Sequence, residues 1–335
     1  MDLLALGHFH PPTFLPNSFF SEELGLETND QWIRERTGIT QRHTVLPLDY
    51  LRETRNRDVR AAQEAAQYDN AETGRRAGLM ALERAGLKPS DIGMVIAGGC
   101  SPDSSIPAEA SRIAAALDID APALDLHAAC SSFGAQLHFL AGMRPEFLPD
   151  HVLVVNPENS TRVVDYSDRS SCVLWGDGTS AAIVSPRHPG RWRVTDTLLE
   201  GQPAGWDKVQ VPRIGHFTQR GAEVQRFAIQ RAAETFATLR RRYLERNPAR
   251  NASEVTLIGH QANLRMLESV QRRCEVPEAR HLHNVTLRGN TGASGAPGVL
   301  SENWDASDEV MGDAIGIAVV GSGLAWAGVM LERRR

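Results

Sequence analysis

No stretch of this 335-residue chain approaches the roughly 20 consecutive apolar residues that cross a bilayer, so no membrane span is expected. The opening MDLLALGHFHPP lacks a basic lead-in and a long apolar run, so a secretory leader is not expected either. Cysteine is scarce. Cys100, Cys130, Cys172 and Cys274 stand far apart without a C-x-x-C pair, which leaves a zinc site or disulfide framework unsupported. Reduced thiols in a cytoplasmic protein fit that usage. Charge of one sign is also missing: a net −5 gives no global case for a nucleic-acid or membrane partner. No low-complexity linker divides the chain. At 41% hydrophobic and 23% charged, it has the composition of a globular enzyme, long enough for two halves sharing an interface.

What is present is an alternation of apolar runs and helical patterns. IGMVIAGG (92–99) reads as a buried strand, followed by a loop and the helix-like PAEASRIAAAL (107–117). ALDL (123–126) reads as a short strand feeding a small-residue turn, after which FGAQLHFLAGM (133–143) has helical spacing. HVLVVNPE (151–158) and SAAIVS (180–185) are further strands. The pattern then restarts with a long amphipathic helix over 222–246, the strand VTLIG (255–259), the helix QANLRMLESVQRR (261–273) and the strand AIGIAVVGSG (314–323). This predicts an α/β fold in two halves, 1–187 and 188–335, packed as one body. The polar stretch 45–70 is expected to be a surface excursion rather than core.

Three polar residues stand just after strands or at glycine turns: Cys130 in DLHAACSSF, His260 in LIGHQAN and Asn290 in LRGNTGASG. Strand ends are where α/β proteins hold reactive groups, because the scaffold fixes the side chain and leaves it accessible. At a helix N-terminus Cys130 would meet unpaired N–H groups that favour the thiolate. His260 suits proton transfer or hydrogen-bond donation near neutral pH. Each also has a plain structural reading, as a buried small hydrophobe, a cap or a turn residue. The residue types alone leave both readings open.

The sequence resembles the beta-ketoacyl-acyl-carrier-protein synthase III family of the thiolase superfamily along nearly its whole length. The matching pieces appear in order: NDQWIRERTGI (29–39), DLHAACSSF (125–133), DYSDRSS (165–171), WGDGTSAA (175–182), GHQANLR (259–265), GNTGASGAP (289–297) and GSGLAW (321–326). GHQANLR followed by the GNT element is the specific signal. The resemblance implies a thiolase-like five-layered αβαβα fold made of two similar halves, and a homodimer. It implies a Cys130, His260 and Asn290 triad, with backbone N–H groups of Cys130 and Gly323 as the oxyanion hole. Trp32, Arg36, Arg169 and Asn263 match positions that bind coenzyme A or pantetheine. Arg265, Arg272 and Arg273 match the region that docks acyl carrier protein. Ile106 stands where the family places a phenylalanine reaching into the partner subunit's acyl pocket. The implied substrates are an acyl-CoA or acyl-carrier-protein donor and a malonyl-type thioester, with no metal or redox cofactor.

The sequence departs from the family pattern at several places. The 45–68 stretch is longer, and the segment between Thr195 and Gly221 looks shorter, which is expected to leave the acyl tunnel less covered. Ser131-Ser132 replaces the usual Ala-Gly, His127 stands where a smaller residue or Asn is commoner, and Arg288 precedes Gly289-Asn290 in place of His. Together with Ile106, these departures suggest a donor longer than acetyl. Other readings on the same scaffold are acyl transfer to a hydroxyl or amine, and a non-catalytic partner subunit. A papain-like hydrolase leaves the HQAN and GNT turns unexplained.

Overall fold

The computed structural model describes residues 1–334. Ten strands build its centre: β1 (Asp2–Phe9), β2 (Met94–Ala97), β3 (Ala123–Asp125), β4 (Val152–Glu158) and β5 (Gly178–Ser185), then β6 (Trp192–Gly201), β7 (Val255–Gly259), β8 (His281–Leu282), β9 (Ala314–Gly321) and β10 (Ala325–Arg333). The first five lie in the order β3-β2-β4-β5-β1, and the second five repeat it as β8-β7-β9-β10-β6. In each set the third, second and fourth strands run parallel, and the fifth is antiparallel to the fourth and the first. The two sheets touch edge to edge where Asp2 and Leu3 of β1 pair with Arg193 and Trp192 of β6.

Seven helices cover the sheets: α1 (Asp30–Thr37), α2 (Asn70–Ala85), α3 (Glu109–Ala116), α4 (Ser132–Gly142), α5 (Gly221–Arg246), α6 (Leu264–Arg273) and α7 (Gly295–Glu302). α4 and α7 lie between the sheets, and Phe133, Leu137, Val299 and Leu300 pack there against strands of both halves. α2 and α3 cover the outer face of the first sheet, and α5 and α6 that of the second. This is the expected five-layer stack of two similar halves. Because β4, β5 and β9 are buried on both faces, they carry near-continuous apolar or small residues rather than an alternating pattern. The central helices approach closely only where a side chain is missing. A Cβ on Gly134 of α4 would stand 2.6 Å from the Ala327 Cβ of β10.

Two expectations fail. The 45–70 stretch is not a surface excursion: it forms the short helices Leu48–Thr54 and Val59–Ala65, whose inner residues Leu51 and Ala62 join a buried cluster with Phe20, Tyr166, Trp175 and Phe217. Asn56, fully buried between them, donates to the carbonyls of Thr161, Arg162 and Val164 at 3.3, 2.9 and 2.9 Å. The polar residues that suggested a surface cover only its outer side. Nor does the 195–221 segment leave the route to Cys130 uncovered. After β6 it turns back, and Val209, Val211 and Phe217 wall the cavities beside the cysteine.

Candidate active site

Cys130 sits in a short turn, Ala129–Ser131, that runs directly into α4. The turn is sharp: Ala129 has φ +47°, a left-handed conformation that costs a non-glycine residue about 1–2 kcal/mol. Two serines hold it. Ser131 Oγ donates to the Ala128 carbonyl and Ser132 Oγ to the Ala129 carbonyl, both at 2.6 Å, while the Ala128 N–H donates to Ser132 Oγ at 3.0 Å. Ser131 and Ser132 are thus the braces of the Cys130 turn.

His260 follows β7 directly and is fixed by its N–H donating to the Ala318 carbonyl of β9 at 3.0 Å. Asn290 stands in the turn after Gly289, whose φ of +69° suits glycine. The Asn290 N–H donates to the Leu174 carbonyl at 2.8 Å, and its Oδ1 accepts from the Gly292 N–H at 3.0 Å, leaving its amide N–H2 group to the cavity. Cys130, His260 and Asn290 line one cavity of about 370 Å³ together with Trp32, Arg36 and Asn263. A second cavity of about 310 Å³ meets Cys130 from another side, between Cys100, His127, Trp175, Val211 and Phe217.

The electrostatics favour a thiolate at Cys130. A hydrogen bond from Cys100 and, against the opposing effect of burial, a second partner in His260 hold the Cys130 thiol well below its ordinary value. Cys100 is pushed the other way, first by that bond to Cys130 and then by burial. Behind both, burial and then the charge of Cys130 lift the enclosed Glu158 carboxyl to about 7. No group of three or more His, Cys, Asp or Glu among the described residues could hold a metal ion.

The outer residues divide. Trp32 has the Arg36 guanidinium 4.4 Å and the Arg169 guanidinium 5.2 Å from its ring centre, so the three meet at the cavity mouth. Arg169 also bonds the Glu27 carbonyl, which holds its guanidinium beside the Trp32 ring. Asn263 caps α6 by accepting from the Met266 N–H at 2.9 Å, which leaves its amide N–H2 free toward the cavity. Arg265 is not free: it donates to the carbonyls of Arg34 and Glu35 at 3.0 Å each, clamping α6 to α1, and pairs with Glu268. Arg272 and Arg273 are exposed on the same helix. Gly323, at φ +130°, lies in the β9–β10 turn between Ser322 and Leu324, which both line the larger cavity. Ile106 is 86% exposed and lines neither cavity of its own chain.

Residues 124–203 match the family model of 3-oxoacyl-[acyl-carrier-protein (ACP)] synthase III, and residues 244–333 match that of its C-terminal part. Beta-ketoacyl-[acyl-carrier-protein] synthase III of Cereibacter sphaeroides is 32% identical over 98% of this chain and 97% of its own. The chain belongs to the 3-oxoacyl-[acyl-carrier-protein] synthase III family. It is an acyl-transferring ketosynthase of that type, and solved structures agree. The synthase III of Aquifex aeolicus superposes with a TM-score of 0.84 at 25% identity, covering 99% of both chains. That of Pseudomonas aeruginosa gives 0.83 at 27% identity, covering 100% of this chain and 98% of its own. The priming beta-ketosynthase of the R1128 polyketide pathway gives 0.82 at 25%, covering 99% of this chain and 96% of its own.

In this synthase III chain, sequence reading passed over Cys100 and Glu158. Cys100 lies 3.5 Å from the Cys130 sulfur, and Glu158 is wholly buried behind it. Both carried a signal. Cys100 ends IGMVIAGGC just as Cys130 follows its own strand, and Glu158 is a charged residue closing the apolar run HVLVVNPE.

Proposed function

We propose that Cys130 takes the acyl group of an acyl-CoA or acyl-carrier-protein donor, and that the acyl enzyme then condenses with a malonyl-type thioester on acyl carrier protein. The thiolate attacks the donor carbonyl and expels the coenzyme A or phosphopantetheine thiol. The tetrahedral oxyanion is met by the N–H groups of Cys130 and Gly323. The malonyl-type thioester enters the larger cavity and loses CO2. His260 and Asn290 donate to its thioester oxygen as enolate charge grows there, which favours the transition state over the ground state. The carbanion attacks the acyl-Cys130 carbonyl, forms the carbon–carbon bond and releases the cysteine sulfur. The product is a beta-ketoacyl thioester for fatty-acid or polyketide synthesis.

The observation that carries this reading is the convergence of Cys130, His260 and Asn290 on one cavity, with a second, largely apolar cavity on another side of the same sulfur. Two cavities at one nucleophile suit an acyl group stored in one while the extender reacts in the other. Trp32, Arg36, Arg169 and Asn263 receive the nucleotide and pantetheine arm, and Arg272 and Arg273 meet the acidic carrier. The exposed Ile106 loop suits a homodimer contact. The smaller cavity suits donors longer than acetyl, each buried CH2 contributing about 0.8 kcal/mol. Simple acyl transfer to a hydroxyl or amine has no use for Asn290 in the cavity. The test is peptide mapping after acyl-CoA treatment, followed by addition of malonyl-carrier protein. A mass shift on Cys130 and a beta-ketoacyl product are expected. Acyl-Cys130 that is never converted to a ketone overturns the condensation reading.

A further inference from the structure

Beside the nucleophile stands a second thiol that the condensation as written does not use. The Cys100 sulfur lies 3.5 Å from that of Cys130, at sulfur hydrogen-bond distance, and both cysteines are free and partly buried. The loop after β2 has little room to move Cys100 away. Its N–H donates to both Glu158 oxygens, at 3.0 and 3.1 Å. Glu158 is itself tied to the Ala293 N–H at 2.8 Å and the Ser160 hydroxyl at 3.1 Å. A Cβ on Gly99 would stand 2.7 Å from the Pro157 carbonyl oxygen, so the loop lies tight against the end of β4.

The surroundings set the direction of the hydrogen bond between the two thiols. Glu158 stands behind both sulfurs and, with burial, opposes a negative charge on Cys100. His260 and the start of α4 are on the Cys130 side, where they favour one. The other charged groups near the pair are already engaged. His127 faces Asp125 at 3.6 Å, and Arg162 is bonded to Asp103. Cys100 therefore keeps its proton and is the donor.

We propose that Cys100 is a positioning residue for the condensation: its S–H donates to the Cys130 sulfur, orients it and holds it ready to attack the donor thioester. The proposal rests on Cys130 being the nucleophile. A donated hydrogen bond has two opposed effects. It raises the fraction of Cys130 present as thiolate, but it makes each thiolate less nucleophilic, since reactivity falls as basicity falls. Removing the donor should therefore slow Cys130 at neutral pH and quicken it at high pH. A merely structural role for Cys100 does not produce that crossover.

The test is the rate of iodoacetamide alkylation across roughly pH 6 to 10, read by intact mass and peptide mapping on freshly reduced, full-length protein. Wild type is compared with Cys100→Ala, Cys100→Val and Cys100→Ser. The Ala and Val variants are expected to react about threefold more slowly near pH 7, a roughly tenfold smaller thiolate fraction being offset about threefold by the higher reactivity of each thiolate, and to reach a higher plateau in alkali. Val keeps the site filled should Ala fold poorly. Ser, which retains a donor, should fall back toward wild type. Superimposable profiles in wild type and the donor-less variants overturn the proposal. A wild-type label that lands on a cysteine other than Cys130 overturns the nucleophile assignment itself, and so separates the two failures.

Discussion

On the proposed mechanism His260 and Asn290 act on a different substrate from the one Cys130 attacks, so their variants should separate two half-reactions. Each is held by its backbone on a strand end or turn and offers its side chain to the cavity. Replacing either with Ala is expected to leave acyl-Cys130 formation nearly intact and to slow CO2 release from malonyl-carrier protein by about 10²–10³-fold, the usual cost of one lost donor to a developing oxyanion. Labelled CO2 release measures this, and normal release in both variants would contradict the assigned roles. At this scale the sequence was legible wherever a polar residue followed an apolar strand. Cys130 and His260 meet that criterion, while Asn290 stands out by its glycine turn; Cys100 meets it too, but sequence spacing cannot show two strand ends meeting. Glu158 was hidden for a related reason. A carboxylate at the end of a buried strand is explained only by the N–H groups of 100 and 293 that it joins.

At the scale of elements, α6 has two different kinds of arginine. Arg265 is an internal clamp on the end of α1, whereas Arg272 and Arg273 project into solvent, Arg272 approaching Glu268 at 3.9 Å and donating to the Ser269 hydroxyl at 3.4 Å. The double variant Arg272→Glu/Arg273→Glu is expected to raise KM for malonyl-carrier protein several-fold while barely altering acylation by acyl-CoA. Rim charges act chiefly on the encounter with a charged partner, and the effect should shrink at high salt. Arg265→Ala should instead disturb acyl-CoA as well, because α1 carries Trp32 and Arg36. Steady-state kinetics with both substrates distinguishes the two. Equal KM changes for both substrates in the double variant would remove the docking role. The Cys130 turn is a second case. Ser132→Ala removes both bonds of a buried hydroxyl and should cost about 1–3 kcal/mol, visible as a lower denaturant midpoint without loss of acylatable Cys130. Apolar runs and helical periodicity disclosed most of the elements around the site. They did not disclose β1, β6, β8 or β10, the helices α1, α2 and α7, or the buried part of 45–70, whose charged outer side masks Leu51 and Ala62.

The whole molecule is one strand order used twice, and the proposed triad joins the two copies: Cys130 comes from the first, His260 and Asn290 from the second. Anything that loosens the seam between them is felt at the site. Around that seam His8, His10 and His43 gather beside Arg288, the residue two before Asn290, with Arg288 bonded to Glu302 at 2.8 Å and to His43 at 2.8 Å. Burial holds His8 and His43 down at about 4, so both stay neutral in the fold where an unfolded chain would take up protons below 6.5. Between pH 6.5 and 4 the unfolded state binds more protons on these two, and stability falls as the pH falls. Glu158 runs opposite. Lifted to about 7 from 4.5, it holds its proton in the fold while the unfolded carboxyl has lost it, so between pH 7 and 4.5 its contribution grows as the pH falls. The two trends offset one another in the shared window from about 6.5 to 4.5, and single variants expose each. His43→Gln is expected to flatten the loss of stability on acidification and Glu158→Gln to steepen it, each by up to about 1.4 kcal/mol per pH unit for the one proton removed. Urea unfolding at half-unit steps of pH measures both slopes. If the two variants change the slope in the same direction, the opposed charging of the histidine cluster and the buried carboxyl is not how this seam responds to acid.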